Sequence, residues 1–283
     1  MVPPAAEADL ERRFGGLRRL YGNAAYLRLR AASVAVVGLG GVGSWAAEAL
    51  ARSGVARLVL IDLDHIAESN INRQVQAVSE TLGQHKGQAL RERIAAIHPG
   101  CEVQVVDAFV EPANWPALLP APVDAVIDAC DQGRAKLAIA TWALREQVPL
   151  VCVGAAGGKR QAQRVEVEDL ADVTHDPLLA SLRQRLRKEA VAPATTSRNG
   201  LGLRCVFSRE RVAPPQDRDD ISGDISSNIS SAVASRASEG NGGNDGNDGS
   251  LNCHGYGSSV TVTATFGMVA AGEAIAQLLA APA

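Results

Sequence analysis

The sequence lacks the paired cysteines of a structural zinc site. Its five cysteines stand apart in the 283-residue chain, and no two of them form a C-x-x-C pair. This spacing argues against a zinc site and against a disulfide framework, and it is typical of a reducing compartment. No structural zinc is therefore expected.

Signals for export and for membrane insertion are also missing. The N-terminus has no basic region followed by an apolar core, so we expect no signal peptide. The most apolar stretch, residues 260–272, ends at Glu273 and is shorter than the roughly 20 residues that a span requires. We expect it to be a buried core segment ending in a helix. This predicts a cytoplasmic protein without stable membrane insertion and leaves loose membrane association open.

The chain has no overall excess of positive charge, since its formal net charge is −3. The charges are unevenly distributed, however. Residues 217–248 hold seven acidic side chains against two arginines, whereas residues 181–211 hold eight basic side chains against two glutamates. Residues 216–250 are also rich in Ser, Asn, Gly and Asp and nearly free of large apolar groups. Such a composition predicts a disordered insertion in a surface loop.

Short apolar runs alternate with helical segments through the first half of the chain. Strands are predicted at residues 33–37, 56–63, 102–106, 123–129 and 150–153. This alternation is typical of a Rossmann-like, doubly wound, mostly parallel sheet of the α/β class. Before it, residues 10–30 have a helical pattern with a weak point at Gly15-Gly16. After it, predicted strands at 163–167 and 204–208 and a helix starting at Asp176-Pro177 indicate a C-terminal α+β extension.

A glycine-rich turn follows the first predicted strand. Gly38, Gly40 and Gly43 match the G-x-G-x-x-G pattern, with Gly41 as an additional glycine. The three glycines allow a tight turn, the approach of a phosphate to the backbone, and close packing of helix on strand. Asp62, at the end of the second strand, can accept hydrogen bonds from a ribose. Up to this point the pattern also fits an NAD-dependent dehydrogenase.

Two cations and a further carboxylate favour ATP chemistry. Attack on the α-phosphate of ATP develops negative charge that fixed cations stabilise, and Arg73 and Lys86 can supply them. A dehydrogenase needs neither, because its glycine loop holds the two phosphates. Asp131, just beyond the fourth strand, can bind Mg²⁺ at the edge of the sheet where ligands bind in such folds. Taken singly, each of these residues is more often a solvated surface charge.

Together these residues resemble the ATP-binding domain of the ThiF/MoeB and ubiquitin-activating enzyme family, whose members adenylate a carboxylate. The resemblance implies that Asp62 holds the ribose and that Asp131 binds Mg²⁺. The phosphates fall to the glycine loop and to Asn70, Arg73 and Lys86. In related dimers an arginine near the N-terminus reaches the partner's ATP. Arg13 and Arg19 lie near the matching position, Gly16.

Other stretches resemble one branch of this family, the dehydratases that act on threonylcarbamoyladenosine in tRNA. These are Arg13-Phe14-Gly15-Gly16 and Gly255-Tyr256-Gly257 followed by residues 262–267. The resemblance implies cyclisation of that nucleoside through an acyl-adenylate, a homodimer, and sulfur-transfer proteins as candidate helpers. The alternatives are an adenylyltransferase for a sulfur-carrier or ubiquitin-like protein, and a non-catalytic nucleotide-binding module. The missing C-x-x-C pairs disfavour the former, and the intact charged set disfavours the latter.

A substrate tRNA would meet the basic part of the chain. The candidate contacts are Arg183, Arg185, Arg187, Lys188 and Arg204. The other interpretation is a solvated helix face. The predicted organisation is a helical segment (1–30), an ATP-binding Rossmann-like domain (31–155), a basic tRNA-facing extension (156–215), the disordered insertion (216–250) and a C-terminal core segment with a helix (251–283).

Overall fold

A computed structural model describes residues 8–189, 200–212 and 256–280. The predicted insertion at 216–250 lies outside the described residues, as does Arg198 of the basic segment.

The centre of the fold is a seven-stranded sheet with the order β3-β2-β1-β4-β5-β7-β6. All neighbouring strands are parallel except β6, which is antiparallel to β7. The strands are β1 Ser33–Val37, β2 Arg57–Ile61, β3 Glu102–Val106, β4 Ala125–Asp128, β5 Leu150–Val153, β6 Val165–Asp169 and β7 Arg204–Ser208. The predicted α/β class with a mostly parallel sheet is confirmed. The predicted extension continues the same sheet, because β7 pairs with β5.

Helices cover both faces of the sheet. They are α1 Leu10–Tyr21, α2 Asn23–Leu29, α3 Gly43–Arg52, α4 Lys86–Ile97, α5 Gly133–Glu146, α6 Pro177–Lys188 and α7 Val260–Ala280. Apolar residues of α3, α4 and α7 pack with Val34 and Leu58 on one face, and those of α5 and α6 pack with Val37 and Val126 on the other. Strands that are buried on both faces explain the continuous apolar runs in the sequence.

The C-terminal segment is helical from Val260 to Ala280, so its first part belongs to the helix that was predicted to follow it. Helix α7 packs closely on α3, since a Cβ at Gly267 would lie 2.5 Å from the carbonyl oxygen of Val42. Of the helices in the described residues, α7 is the one long and apolar enough to cross a membrane by length and composition. Half of its most apolar window is buried inside the fold.

The N-terminal segment forms two helices rather than the single predicted one. The break lies at Gly22, whose φ of 86° ends α1, whereas Gly15-Gly16 lies within α1. A left-handed φ costs glycine little, so Gly22 is the position where the chain can turn. Phe14 is buried in this segment, while Leu20 is 70% exposed.

His98 is a buried imidazole at the C-terminal end of α4. Its Nε2 lies 2.6 Å from Arg30 Nη1, and the ring packs on Phe14. Burial, assisted by the positive charge of Arg30, lowers the pKa of His98 to about 4. The neutral ring therefore accepts a hydrogen bond from Arg30 in the folded protein.

This pKa predicts an acid-sensitive contribution to stability. Below the ordinary histidine pKa of about 6.5, the unfolded chain binds a proton that the folded chain does not bind until about pH 4. The free energy of unfolding should therefore fall by about 2–3 kcal/mol over that window because of His98 alone. His98→Gln, which can still accept from Arg30, should lose correspondingly less between pH 7 and 4.5 in urea unfolding. Equal losses in both proteins would contradict the prediction.

Candidate functional site

A cavity of about 690 Å³ lies at the carboxyl edge of the sheet. Its walls come mainly from the segments that follow β1, β2, β3, β4 and β5, where ligands bind in open α/β sheets. The structure brings eight of the predicted residues into this wall: Gly38, Gly40, Gly41, Asp62, Asn70, Arg73, Lys86 and Asp131. Residues far apart in sequence therefore converge on one site.

The glycine loop turns directly at the end of β1. Gly38 has a φ of 82°, and a Cβ there would lie 2.9 Å from the backbone nitrogen of Cys130. Gly43 does not line the cavity. A Cβ on Gly43 would lie 1.8 Å from the carbonyl oxygen of Gly38, so this glycine allows α3 to begin against the turn. The first and third glycines are thus required for packing, and Gly40, Gly41 and Val42 between them line the cavity.

Asp62 holds the loop in place with both carboxylate oxygens. Oδ2 accepts a hydrogen bond from the backbone nitrogen of Leu39 at 2.6 Å, and Oδ1 accepts one from that of Asp64 at 2.8 Å. The side chain is 7% exposed. A carboxylate that accepts backbone N–H groups is firmly oriented. Asp62 therefore links the end of β2 to the turn after β1.

Lys86 begins α4 and extends its ammonium group toward these carboxylates. Its Nζ lies 2.7 Å from Asp64 Oδ2 and 3.9 Å from Asp62 Oδ1, and the residue is 6% exposed. The preceding residue, His85, caps the helix by accepting from the backbone nitrogen of Gly87 through Nδ1. Its Nε2 lies 3.0 Å from Asp107 Oδ1. The ammonium group of Lys86 is thus held in position by side chains of the protein itself.

Arg73 follows a short turn that Asn70 organises. Asn70 Oδ1 accepts from the backbone nitrogen of Ala67 at 3.1 Å, closing the turn Glu68–Asn70. The Arg73 guanidinium donates to the Ser69 carbonyl at 2.6 Å. A Cβ on Gly41 would lie 3.1 Å from Arg73 Cγ, so the glycine at this position leaves room for the arginine side chain. Burial lowers the pKa of Arg73, which shows that the charge lies in a partly desolvated wall.

Asp131 follows β4 and lies in the cavity wall between Cys130 and Gln132. The described ranges contain no group of three or more His, Cys, Asp or Glu side chains that could hold a metal ion. Mg²⁺ in nucleotide enzymes is commonly held by one or two carboxylates together with phosphate oxygens and water. Asp131, as one carboxylate of the cavity wall, therefore fits Mg²⁺ that arrives with a nucleotide.

The predicted tRNA contacts differ in how they are placed. Arg183 donates to the carbonyl oxygens of Leu170 and Val173 at 2.9 and 2.8 Å, and Arg204 pairs with Glu273 at 2.8 Å. The remaining members lie on α6: Arg185 and Arg187 half-buried, and Lys188 exposed. Arg183 and Arg204 thus have partners within the fold.

Of the two arginines near Gly16, one has a partner within the chain. Arg13 Nη1 donates to the carbonyl oxygen of Ile97 at 2.6 Å, at the end of α4. Arg19 is exposed on α1.

Comparison with known proteins identifies the family of the chain. The family model described as the ThiF family matches residues 14–282. The chain belongs to the ThiF family. It is 39% identical over 269 residues to the tRNA threonylcarbamoyladenosine dehydratase of Escherichia coli K12, covering 95% of this chain and 94% of that protein. The enzyme of the same name from Haemophilus influenzae is 36% identical, covering 96% and 95%.

A solved structure is also similar to this chain over nearly its full length. The crystal structure of the E. coli tRNA N6-threonylcarbamoyladenosine dehydratase in complex with ATP superposes with a TM-score of 0.79 at 37% identity, covering 96% of each chain. The similarity to this structure therefore includes the sheet and the segments that line the cavity.

Sequence reasoning missed part of this ThiF-family site. Residues 154–157, which follow β5, also line the cavity. Buried Asp176 orients this segment by accepting from the backbone nitrogen of Ala155 at 2.8 Å, while its other oxygen caps α6 through Leu179. A Cβ at Gly154 would lie 2.2 Å from Asp176 Oδ2. The cap at Asp176-Pro177 was visible in the sequence, but its second contact depends on the tertiary fold.

The packing of the glycine loop predicts that alanine lowers the free energy of unfolding at one glycine and leaves it almost unchanged at another. Gly43→Ala should lower the free energy of unfolding by about 1–3 kcal/mol or more, because its methyl group meets the Gly38 carbonyl. Gly40→Ala is the matched control, since a Cβ there meets no atom within 4 Å. It should stay within about 0.5 kcal/mol of the parent. Urea unfolding of the three proteins measures this, and equal stability of the two variants would contradict it.

Proposed function

We propose that this protein is an ATP-dependent dehydratase that cyclises threonylcarbamoyladenosine in tRNA. The observation that carries the proposal is the joint presence of the glycine loop, two cations and Asp131 in one cavity. It is supported by 39% identity, over 95% of the chain, to an enzyme named for that activity.

The cavity residues suit the binding of ATP at the sheet edge. We assign the ribose to Asp62, whose carboxylate is buried at the end of β2 and retains acceptor capacity beyond its two backbone contacts. We assign the phosphates to the loop backbone, Asn70, Arg73 and Lys86. Lys86 is then oriented by Asp64 toward the phosphates, and its positive charge offsets the negative charge that develops there.

The reaction has two steps. The carboxylate of the threonyl group attacks the α-phosphorus of ATP, forming an acyl-adenylate and releasing pyrophosphate. The neighbouring ureido group then attacks the activated carbonyl, loses a proton and expels AMP. The product is lighter than the substrate by one water. Because ring closure is intramolecular, no nucleophile from the protein is required.

Mg²⁺ fits the donor set of this cavity. When bound it would neutralise charge on the phosphates, with Asp131 as its ligand from this chain. Arg73 and Lys86 would act beside it as fixed cations that orient the phosphates.

Further parts of the proposal concern the setting of the enzyme. We propose a homodimer that acts in the cytoplasm on tRNA, with sulfur-transfer proteins as candidate helpers. The alternative is an adenylyltransferase for a carrier protein. The molybdopterin-synthase adenylyltransferase of E. coli is 35% identical to the chain, but over 123 residues that make up 44% of it. The much longer match to the dehydratases favours the first function.

The phosphate and metal roles predict the loss of activity in two variants. Lys86→Ala and Asp131→Ala should each lower turnover by about 100-fold or more, because each removes a charge that acts on the phosphates. The controls are Arg145→Ala and Glu146→Ala, two exposed charges at the far end of α5.

Mass spectrometry of tRNA nucleosides after incubation with ATP measures the loss of one water from the modified adenosine. Full turnover by either variant would refute its assigned role. Unchanged tRNA in the parent protein, together with pyrophosphate exchange that depends on a carrier protein, would favour the alternative function.

The placement of the basic residues predicts two different phenotypes. Lys188→Ala should weaken tRNA binding and lower its dependence on salt without changing stability, since the side chain is exposed. Arg183→Ala should instead lower the free energy of unfolding by about 1–3 kcal/mol, because the carbonyl groups of Leu170 and Val173 lose their donor. Filter binding at several salt concentrations and urea unfolding separate the two. A stable Arg183→Ala protein with unchanged tRNA affinity would contradict the second expectation.

A further inference from the structure

A fully buried ion pair lies directly behind the cavity wall that carries Asp131. Lys136 Nζ lies 2.9 Å from Asp128 Oδ2, and neither side chain has any exposed surface. Lys136 also donates to the carbonyl oxygen of Asp128 at 3.3 Å. Taking two charges out of water is costly, and their attraction often does no more than offset that cost. Stability alone is therefore a weak reason for this pair.

The second oxygen of Asp128 holds the turn that follows β4. Oδ1 accepts from the backbone nitrogen of Cys130 at 3.1 Å and from its thiol at 2.9 Å. At the other end of the turn, the carbonyl oxygen of Gln132 accepts from the backbone nitrogen of Lys136 at 3.0 Å. Residues 129–132 all line the cavity, so the ion pair fixes a segment of its wall from behind.

Lys136 keeps its positive charge in these surroundings. Burial by itself would lower the pKa of Lys136, but the attraction of Asp128 outweighs it and raises that pKa. Cys130 and Cys152 also act to raise the pKa of Lys136. The charge of Lys136 in turn acts to lower the pKa of Asp176. The positive charge of Lys136 thus holds the carboxylate of Asp128 in the position from which it accepts from the backbone nitrogen of Cys130.

We propose that Asp128 and Lys136 are positioning residues that hold the turn 129–132 so that the Asp131 carboxylate is directed at nucleotide-bound Mg²⁺. The inference rests on the proposed function, which gives Asp131 its metal role. A metal ligand must be held to within about 0.5 Å by the groups around it. Lys136 and Asp128 supply that support without touching the nucleotide.

The test compares ATP binding with and without Mg²⁺. The double variant Asp128→Asn/Lys136→Met removes both charges together and leaves no uncompensated charge. By calorimetry, its affinity for ATP in EDTA should stay within about twofold of the parent, while the gain in affinity on adding Mg²⁺ should fall about tenfold. A purely structural role would lower both affinities by the same factor, which would overturn the proposal.

A matched control neutralises a different ion pair. Arg209→Met/Glu166→Gln removes a pair with a 2.7 Å contact between β7 and β6 at the far edge of the sheet. This variant should keep the full gain in ATP affinity with Mg²⁺. If it loses the gain as well, the effect is not specific to the turn after β4 and the proposal falls.

The variant Asp131→Asn separates this inference from the proposed function. It should lose the Mg²⁺ gain, and the double change should add no further loss in its background. If Asp131→Asn keeps the gain, the metal role of Asp131 is wrong and the positioning inference falls with it. If instead the parent leaves tRNA unchanged while Mg²⁺ binding follows the expected pattern, the dehydration fails and the positioning inference stands.

A milder variant covers the case in which the double variant does not fold. Asp128→Glu keeps both charges and displaces the carboxylate by one methylene from the backbone nitrogen of Cys130. Its Mg²⁺ gain should fall while its affinity for ATP in EDTA stays the same. An unchanged gain would overturn the proposal.

Discussion

The close approach of α3 to the turn after β1 is the constraint on which the site depends. A Cβ on Gly43 would lie 1.8 Å from the carbonyl oxygen of Gly38, so a larger residue would separate the helix from the strand. This contact sets where the N-terminus of α3 lies relative to the cavity, and a helix N-terminus favours anions. It also places Gly40 and Gly41 in the cavity wall, with Gly41 beneath the Arg73 side chain.

Buried carboxylates hold the cavity segments in the same way at three strand ends. Asp62 holds the loop after β1, Asp128 holds the turn after β4, and Asp176 holds the segment after β5. Two of them lie within 4 Å of a lysine ammonium, Lys86 for Asp62 and Lys136 for Asp128. The wall is therefore an array of oriented backbone groups supported by charges, which suits a site for a phosphate-rich ligand.

The sequence predicts the sheet well because its strands are short, apolar and bounded by Gly, Pro or charged residues. The bounds of β1, β3 and β5 agree with the prediction at both ends. The break at Gly22 was missed because Gly15-Gly16 has the same local signal, and packing of Phe14 keeps that pair within the helix. Local chemistry cannot separate two glycine sites that differ in tertiary contacts.

The cavity residues were predicted from the glycine pattern, the charged side chains and the resemblance to the family, and Asp131 also from its place after a parallel strand. The ion pair behind these residues was not predicted, because in the sequence Asp128 is only the end of a strand and Lys136 only one residue of a helix. Their pairing exists only once α5 packs on the sheet. Charge counting along the basic segment could not show that Arg183 and Arg204 have partners within the fold.

The described cysteines affect how ring closure, the second step of the proposed reaction, can proceed. Cys130 lines the cavity, but burial and the neighbouring Asp128 raise the pKa of its thiol, and Cys152 and Cys205 are buried. A thiol attacks a carbonyl as the thiolate, so a raised pKa makes Cys130 a poor nucleophile. In the proposed reaction the threonyl group carries its own nucleophile next to the activated carboxylate, and ring closure gains from that proximity. The cavity therefore has to orient two parts of one substrate rather than supply a covalent intermediate.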